Sequence, residues 1–71
     1  MLQLRSLFFP LQPWYRVMYD FTARTDVELT LRQGQMVKVR KMHDLDGNNE
    51  WWLVDANGKE GYAPANYLST L

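Results

Sequence analysis

The sequence has no cysteine, which excludes a disulfide framework and a thiolate metal site. Its one histidine, His43, cannot build a zinc site alone. An excess of charge of either sign is missing too. Eight Lys and Arg balance eight Asp and Glu, which argues against a general binder of nucleic acid or of a membrane surface. No apolar run approaches the ~18 residues of a membrane span. The patch Leu7 to Phe9, with Arg5 before it, is too short for a signal h-region, and no small-residue cleavage site follows. Residues 1 to about 13 therefore read as a linker or extension. The absence of cysteine says little about compartment, although it fits a reducing one; a cytoplasmic setting is expected. Catalytic groups are scarce as well: the serines are Ser6 and Ser69, near the two ends, and His43 sits in a polar loop. No nucleophile with a positioned base and no carboxylate pair in a cleft can be assembled, so no enzyme and no cofactor are expected.

What remains is enough for one small domain. A chain of 71 residues is stabilised by only a few kcal/mol, about what area burial leaves over chain entropy at this size. The core must be apolar, and 46% hydrophobic with 14% aromatic residues can supply it. No window keeps a helical period, and alternation dominates. Arg16–Phe21, Met36–Met42, Trp51–Val54, Gly61–Ala63 and Leu68–Leu71 read as five short strands. Asn57-Gly58 accepts the positive φ of a type I′ turn, which pairs the third and fourth strands antiparallel. Pro64-Ala65-Asn66-Tyr67 reads as a tight helical turn. The expected architecture is all-β, a small partly open barrel or a pair of packed sheets. Val17, Leu29, Leu31, Val37, Val39, Val54, Ala63 and Leu68 form the expected inward set.

Ten aromatic residues are too many for such an interior. Neighbours on a strand point to opposite faces, so Trp51 and Trp52 cannot both enter one core. Tyr15, Tyr19, Tyr62 and Tyr67 carry hydroxyls that need water or a partner. The rings are either scattered rim residues or a contact surface. Two acidic loops lie next to them, one with Asp20, Asp26 and Glu28, the other with Asp44, Asp46 and Glu50. An aromatic floor between acidic walls suits a preformed proline-rich helix carrying a cation. Three aromatics converging on one point would instead cage a methylated lysine, as in a Tudor-like barrel. Base stacking on Trp51 and Tyr62 would lack a basic groove.

Four motifs go further. Val17-Met18-Tyr19-Asp20-Phe21 resembles the ALYDY motif of Src homology 3 (SH3) domains. Glu28-Leu29-Thr30-Leu31 with Gly34, the pair Trp51-Trp52, and Gly61-Tyr62-Ala63-Pro64-Ala65-Asn66-Tyr67 are similar to that family's later motifs, in its order and near its spacing. The resemblance covers residues 15 to 71 and implies a domain over 14–71: a five-stranded SH3-like barrel with one short 3-10 turn. It implies an RT loop after the first strand, an n-Src loop after the second and a distal hairpin at Asn57-Gly58. The ligand it implies is a PxxP segment with a flanking Arg or Lys, in a groove made of Tyr19, Phe21, Trp51, Pro64 and Tyr67. Asn66 would donate a hydrogen bond to the peptide, Tyr62 would line the specificity side, Glu28 would pair with the ligand cation, and Asp26 would assist. Phe21 replaces the motif's second Tyr, Ala63 replaces a β-branched residue, and the n-Src segment, about 42–50, is longer than in compact members. The second half of the chain also resembles the C-terminal SH3 domains of Tuba-type Rho-family exchange-factor scaffolds, which implies a signalling and cytoskeletal parent protein. Pro10-Leu11-Gln12-Pro13 is itself a PxxP. It is either a linker that happens to hold two prolines or a weak self-association element that contacts another copy of an otherwise monomeric domain.

Overall fold

The computed structural model describes residues 14–71. The Pro10–Pro13 motif and its expected contact with a second copy lie outside those residues. Five strands follow one another, β1 (Trp14–Val17), β2 (Met36–Lys41), β3 (Trp51–Ala56), β4 (Lys59–Pro64) and β5 (Leu68–Thr70), with the 3-10 turn Ala65–Tyr67 between the last two. They form one antiparallel sheet in the order β4-β3-β2-β1-β5. The β3–β4 hairpin closes on Asn57 and Gly58, whose φ values are 55° and 81°. Both are positive, as a type I′ turn requires. In β2 the register shifts between Val39 and Lys41, a bulge that bends the strand and increases its twist.

The core is small. Val17, Leu31, Val37, Val54 and Ala63 are fully buried, Phe21 and Ala56 nearly so. Leu29, Val39 and Leu68 pack half-buried against that cluster, at its margin rather than its centre. Ala56 is an inward residue that the alternation of Trp51–Val54 did not reach, because β3 runs two residues further than expected. The first strand is shorter than expected for a nearby reason. After Val17 the backbone leaves the sheet, since the Met18 N–H donates to the carbonyl of Tyr67 at 2.7 Å. Phe21 then pairs with Leu31 in an isolated bridge.

That departure builds the long loop, 18–35, from which the site is made. The loop is closed on itself by the Phe21–Leu31 bridge, by the Thr30 hydroxyl accepting from the Ala23 N–H at 3.0 Å, and by Asp20 Oδ1 accepting from the Gln33 N–H at 2.8 Å. It is also fastened to β4. Leu29 N–H donates to Tyr62 O at 3.0 Å and Tyr62 N–H to Val27 O at 2.8 Å. A loop with this many backbone partners is an ordered wall.

Candidate functional site

Rings from three segments of the chain form one row. Tyr19 follows β1, Phe21 is in the loop, Trp51 opens β3 and Tyr67 ends the 3-10 turn. Tyr19 and Tyr67 meet edge to face at 5.5 Å between centroids, Tyr67 and Phe21 at 6.0 Å, Phe21 and Trp51 at 5.8 Å. Edge-to-face contact is the favoured packing of ring quadrupoles. Phe21 is only 8% exposed and Tyr19 is 59% exposed, so the row has a buried floor and an open end. A hydroxyl on the Phe21 ring would need a partner in this nearly dry position, which suits Phe at a place where the motif has Tyr.

The 3-10 turn sets Tyr67 and Asn66. Pro64, in extended conformation, precedes the turn, and the Ala65 N–H donates to Glu50 O at 2.9 Å. Asn66 is exposed, and a cleft lined by Asn49, Glu50, Trp51, Pro64, Ala65 and Asn66 runs beside it. On its other flank Trp51 borders a second cleft with Val27, Glu28 and Tyr62 on one wall and Asp44, Leu45 and Asp46 on the other. The two acidic loops therefore stand side by side, as their positions between neighbouring strands suggested. Trp51 divides the surface in two.

The second wall is held firm by one carboxylate. Asp44 Oδ1 accepts from the N–H groups of Asp46 and Asn48, each at 2.9 Å, and Asn48 Oδ1 accepts from Glu50 N–H at 2.9 Å. Such Asx contacts give a loop a turn-like backbone. Leu45 stands out 85% exposed, facing a cleft whose opposite wall carries Val27 at 56%.

Glu28 already has a partner. Its carboxylate accepts from the Arg24 backbone N–H at 2.8 Å and from the Arg24 guanidinium at 3.3 Å (Nε to Oε1) and 3.2 Å (Nη2 to Oε2). The hydrogen bonds and charge of Arg24 hold the Glu28 carboxyl below its usual range. The same guanidinium lies 5.2 Å from the Trp51 ring centroid and 5.9 Å from that of Phe21.

Of the residues singled out from sequence, Tyr19, Phe21, Trp51 and Tyr67 form the row, Pro64 and Asn66 border one cleft, and Glu28 and Tyr62 border the other. Asp26 is exposed and does not line either cleft. Asp20 braces its own loop. Arg24, Val27, Leu45 and the Asp44 and Asp46 pair complete the surface. Of these, Arg24 carried no sequence signal, because a spacing of four from Glu28 implies contact only on a helix and this segment is a loop. Among the described residues, no group of three His, Cys, Asp or Glu could hold a metal ion, and no helix is long and apolar enough to cross a membrane.

Comparison with known proteins agrees with this geometry. A family model described as a variant SH3 domain matches residues 17–69. Rho guanine nucleotide exchange factor 38 of mouse is 48% identical over 60 residues, 84% of this chain and 8% of its own length. Human dynamin-binding protein is 44% identical over 54 residues, 76% of this chain and 3% of its own length. The chain thus spans a small part of either relative. Among solved structures, the C-terminal SH3 domain of myosin IB from Entamoeba histolytica, bound to EhFP10(GEF) peptide, superimposes with a TM-score of 0.72 at 30% identity, over 84% of this chain and 93% of that one. The Acanthamoeba myosin I SH3 domain bound to Acan125 gives 0.71 at 31%, over 86% and 97%. By that family match, and in keeping with its sheet order, ring row and paired loops, the chain belongs to the SH3 domain family.

Proposed function

We propose that this domain is a protein-interaction module that takes proline-rich segments in polyproline II conformation. The observation that carries the reading is the ring row: four aromatic groups spaced 5.5–6.0 Å apart in sequence along a shelf, ending at a cleft walled by Glu28, Asp44 and Asp46. A polyproline helix has no internal hydrogen bonds and loses little entropy on docking, so stacked pyrrolidine rings can fill the gaps between aromatic edges. Tyr19, Phe21, Tyr67, Pro64 and Trp51 supply the shelf, Asn66 donates to a peptide carbonyl, and Tyr62 lines the specificity side. A basic residue beside the PxxP core is drawn to the acidic cleft, with Asp26 adding to the field. A cage for one methylated ammonium needs rings around a point, whereas these rings follow a line, and the family match does not favour a Tudor-like barrel.

The relatives' names, an exchange factor and a dynamin-binding protein, support a parent protein that is a cytoplasmic signalling or cytoskeletal scaffold, with this domain recruiting its partners. A short PxxP peptide with a flanking Arg, the same peptide with Ala for each Pro, and a trimethyl-lysine peptide separate the readings by calorimetry and NMR titration. Saturable binding of the first alone, shifting resonances of Tyr19, Trp51 and Tyr67, is expected. Equal binding of the proline-free peptide, or binding of trimethyl-lysine only, would overturn the reading.

A further inference from the structure

The position where a ligand's basic residue would meet Glu28 is already filled from within the chain. The Arg24 guanidinium forms two side-chain hydrogen bonds to the Glu28 carboxylate, at 3.3 and 3.2 Å, and lies 5.2 Å from the Trp51 ring centroid. A ligand Arg would seek both of those partners, a planar acceptor for its fork and an aromatic face for its cation. Glu28 has a side chain only 11% exposed, while that of Arg24 is 65% exposed. The acid is therefore fixed in the wall and the base is its removable cover. Arg24 sits in the loop on the open side and can swing into solvent without breaking any backbone contact.

We propose that Arg24 is an internal competitor for the ligand's cation, a specificity-determining residue that mutes selection for a basic residue beside the proline core. This inference rests on the proposed groove. An incoming Arg gains no new ion pair at Glu28, because it exchanges one guanidinium for another, and the displaced Arg24 must be rehydrated. Selection then shifts to what Arg24 leaves free: the apolar pair Val27 and Leu45 across the cleft and the Asp44 and Asp46 wall. The Arg24 backbone N–H also donates to Glu28 Oε1 at 2.8 Å, a contact that does not use the Arg24 side chain. Arg24→Gln therefore uncovers the carboxylate without releasing it.

The experiment uses a PxxP peptide with a flanking Arg and its copy with Gln at that position, each titrated into the wild-type domain, R24Q and E28Q. The ratio of the two dissociation constants is the readout. It should stay below about threefold in the wild type, rise to about tenfold in R24Q and fall to about one in E28Q, while the Gln-flanked peptide binds wild type and R24Q within about twofold. A wild-type ratio near tenfold that R24Q leaves unchanged would overturn the proposal. So would R24Q weakening both peptides alike, which would make Arg24 a support of the groove. If no variant bound either peptide, the groove reading would fall, and this inference with it. Binding of both peptides at an unmoved ratio rejects the competitor alone.

Discussion

A Cβ placed on Gly61 would stand 2.8 Å from the Cβ of Leu29 and 3.0 Å from the backbone of Glu28. Glycine at 61 is what lets the long loop lie flat on β4, and the Leu29–Tyr62 and Tyr62–Val27 hydrogen bonds on either side fix the distance. The wall that carries Glu28 is positioned by an absent side chain.

Gly61→Ala should therefore lower stability by about 1–3 kcal/mol through overpacking against backbone that cannot yield. In a domain of this size that is a fall of roughly 4–8 °C in Tm per kcal/mol, read by thermal and urea unfolding. Because the loop must lift to make room, peptide affinity should drop as well. Wild-type stability in G61A would mean that the loop is not seated on β4 as described.

What could be read from the sequence follows the range of the interaction concerned. The Asn57-Gly58 turn needed only two adjacent residues, and its geometry was fixed by backbone sterics. Strand alternation gave Val17, Leu31, Val37 and Val54 as core, since each reports locally on which face it occupies. The family's motif order put Tyr19, Phe21, Trp51 and Tyr67 in one groove, although these residues come from distant segments. Gly61 was different, because its reason is Leu29 on another segment. Nothing local marked the end of β1 at Val17 either, where the backbone turns to Tyr67. Glu28 was legible as an acid beside a cleft, but its occupation by Arg24 was not, because loop residues four apart meet only once the loop's path is known.

Trp51 and Trp52 are neighbours with opposite duties. Trp51 adjoins both clefts and Phe21, whereas Trp52 meets Tyr15 edge to face at 5.4 Å and donates its indole N–H to Asn49 O at 2.9 Å. Trp51→Ala should weaken the PxxP peptide at least about tenfold, the loss of a central aromatic anchor. Fold should be retained, with the circular dichroism spectrum and a cooperative transition intact. Trp52→Ala should do the reverse. It should cost about 1–3 kcal/mol of stability, less than a fully buried Trp because the residue is only partly buried, and change peptide affinity by no more than about twofold. Calorimetry and urea denaturation on both variants decide the matter. A swapped pattern would place the groove on the wrong face of β3.

Acid should uncouple the loop's ion pair. The side-chain hydrogen bonds from Arg24 lower the carboxyl of Glu28 below its ordinary value, and Glu28 in turn raises Arg24. A carboxyl depressed in the folded state contributes stability that is fully present above its unfolded pKa and is lost as pH falls through the folded one. Arg24 stays charged throughout that range, so its own shift has no consequence there. Wild type should be more stable than E28Q at pH 7, and the gap should close as the pH drops below about 4. High salt at pH 7 should narrow it too, since Arg24 is largely in solvent. The exposed pair Arg40 and Glu60, at 3.5 Å and about half accessible on each side, is common to both proteins and cancels in the comparison. Urea midpoints of the two proteins across pH 3 to 7 supply the measurement. A gap that persists unchanged at pH 3 would show that Glu28 does not stabilise the loop through its charge.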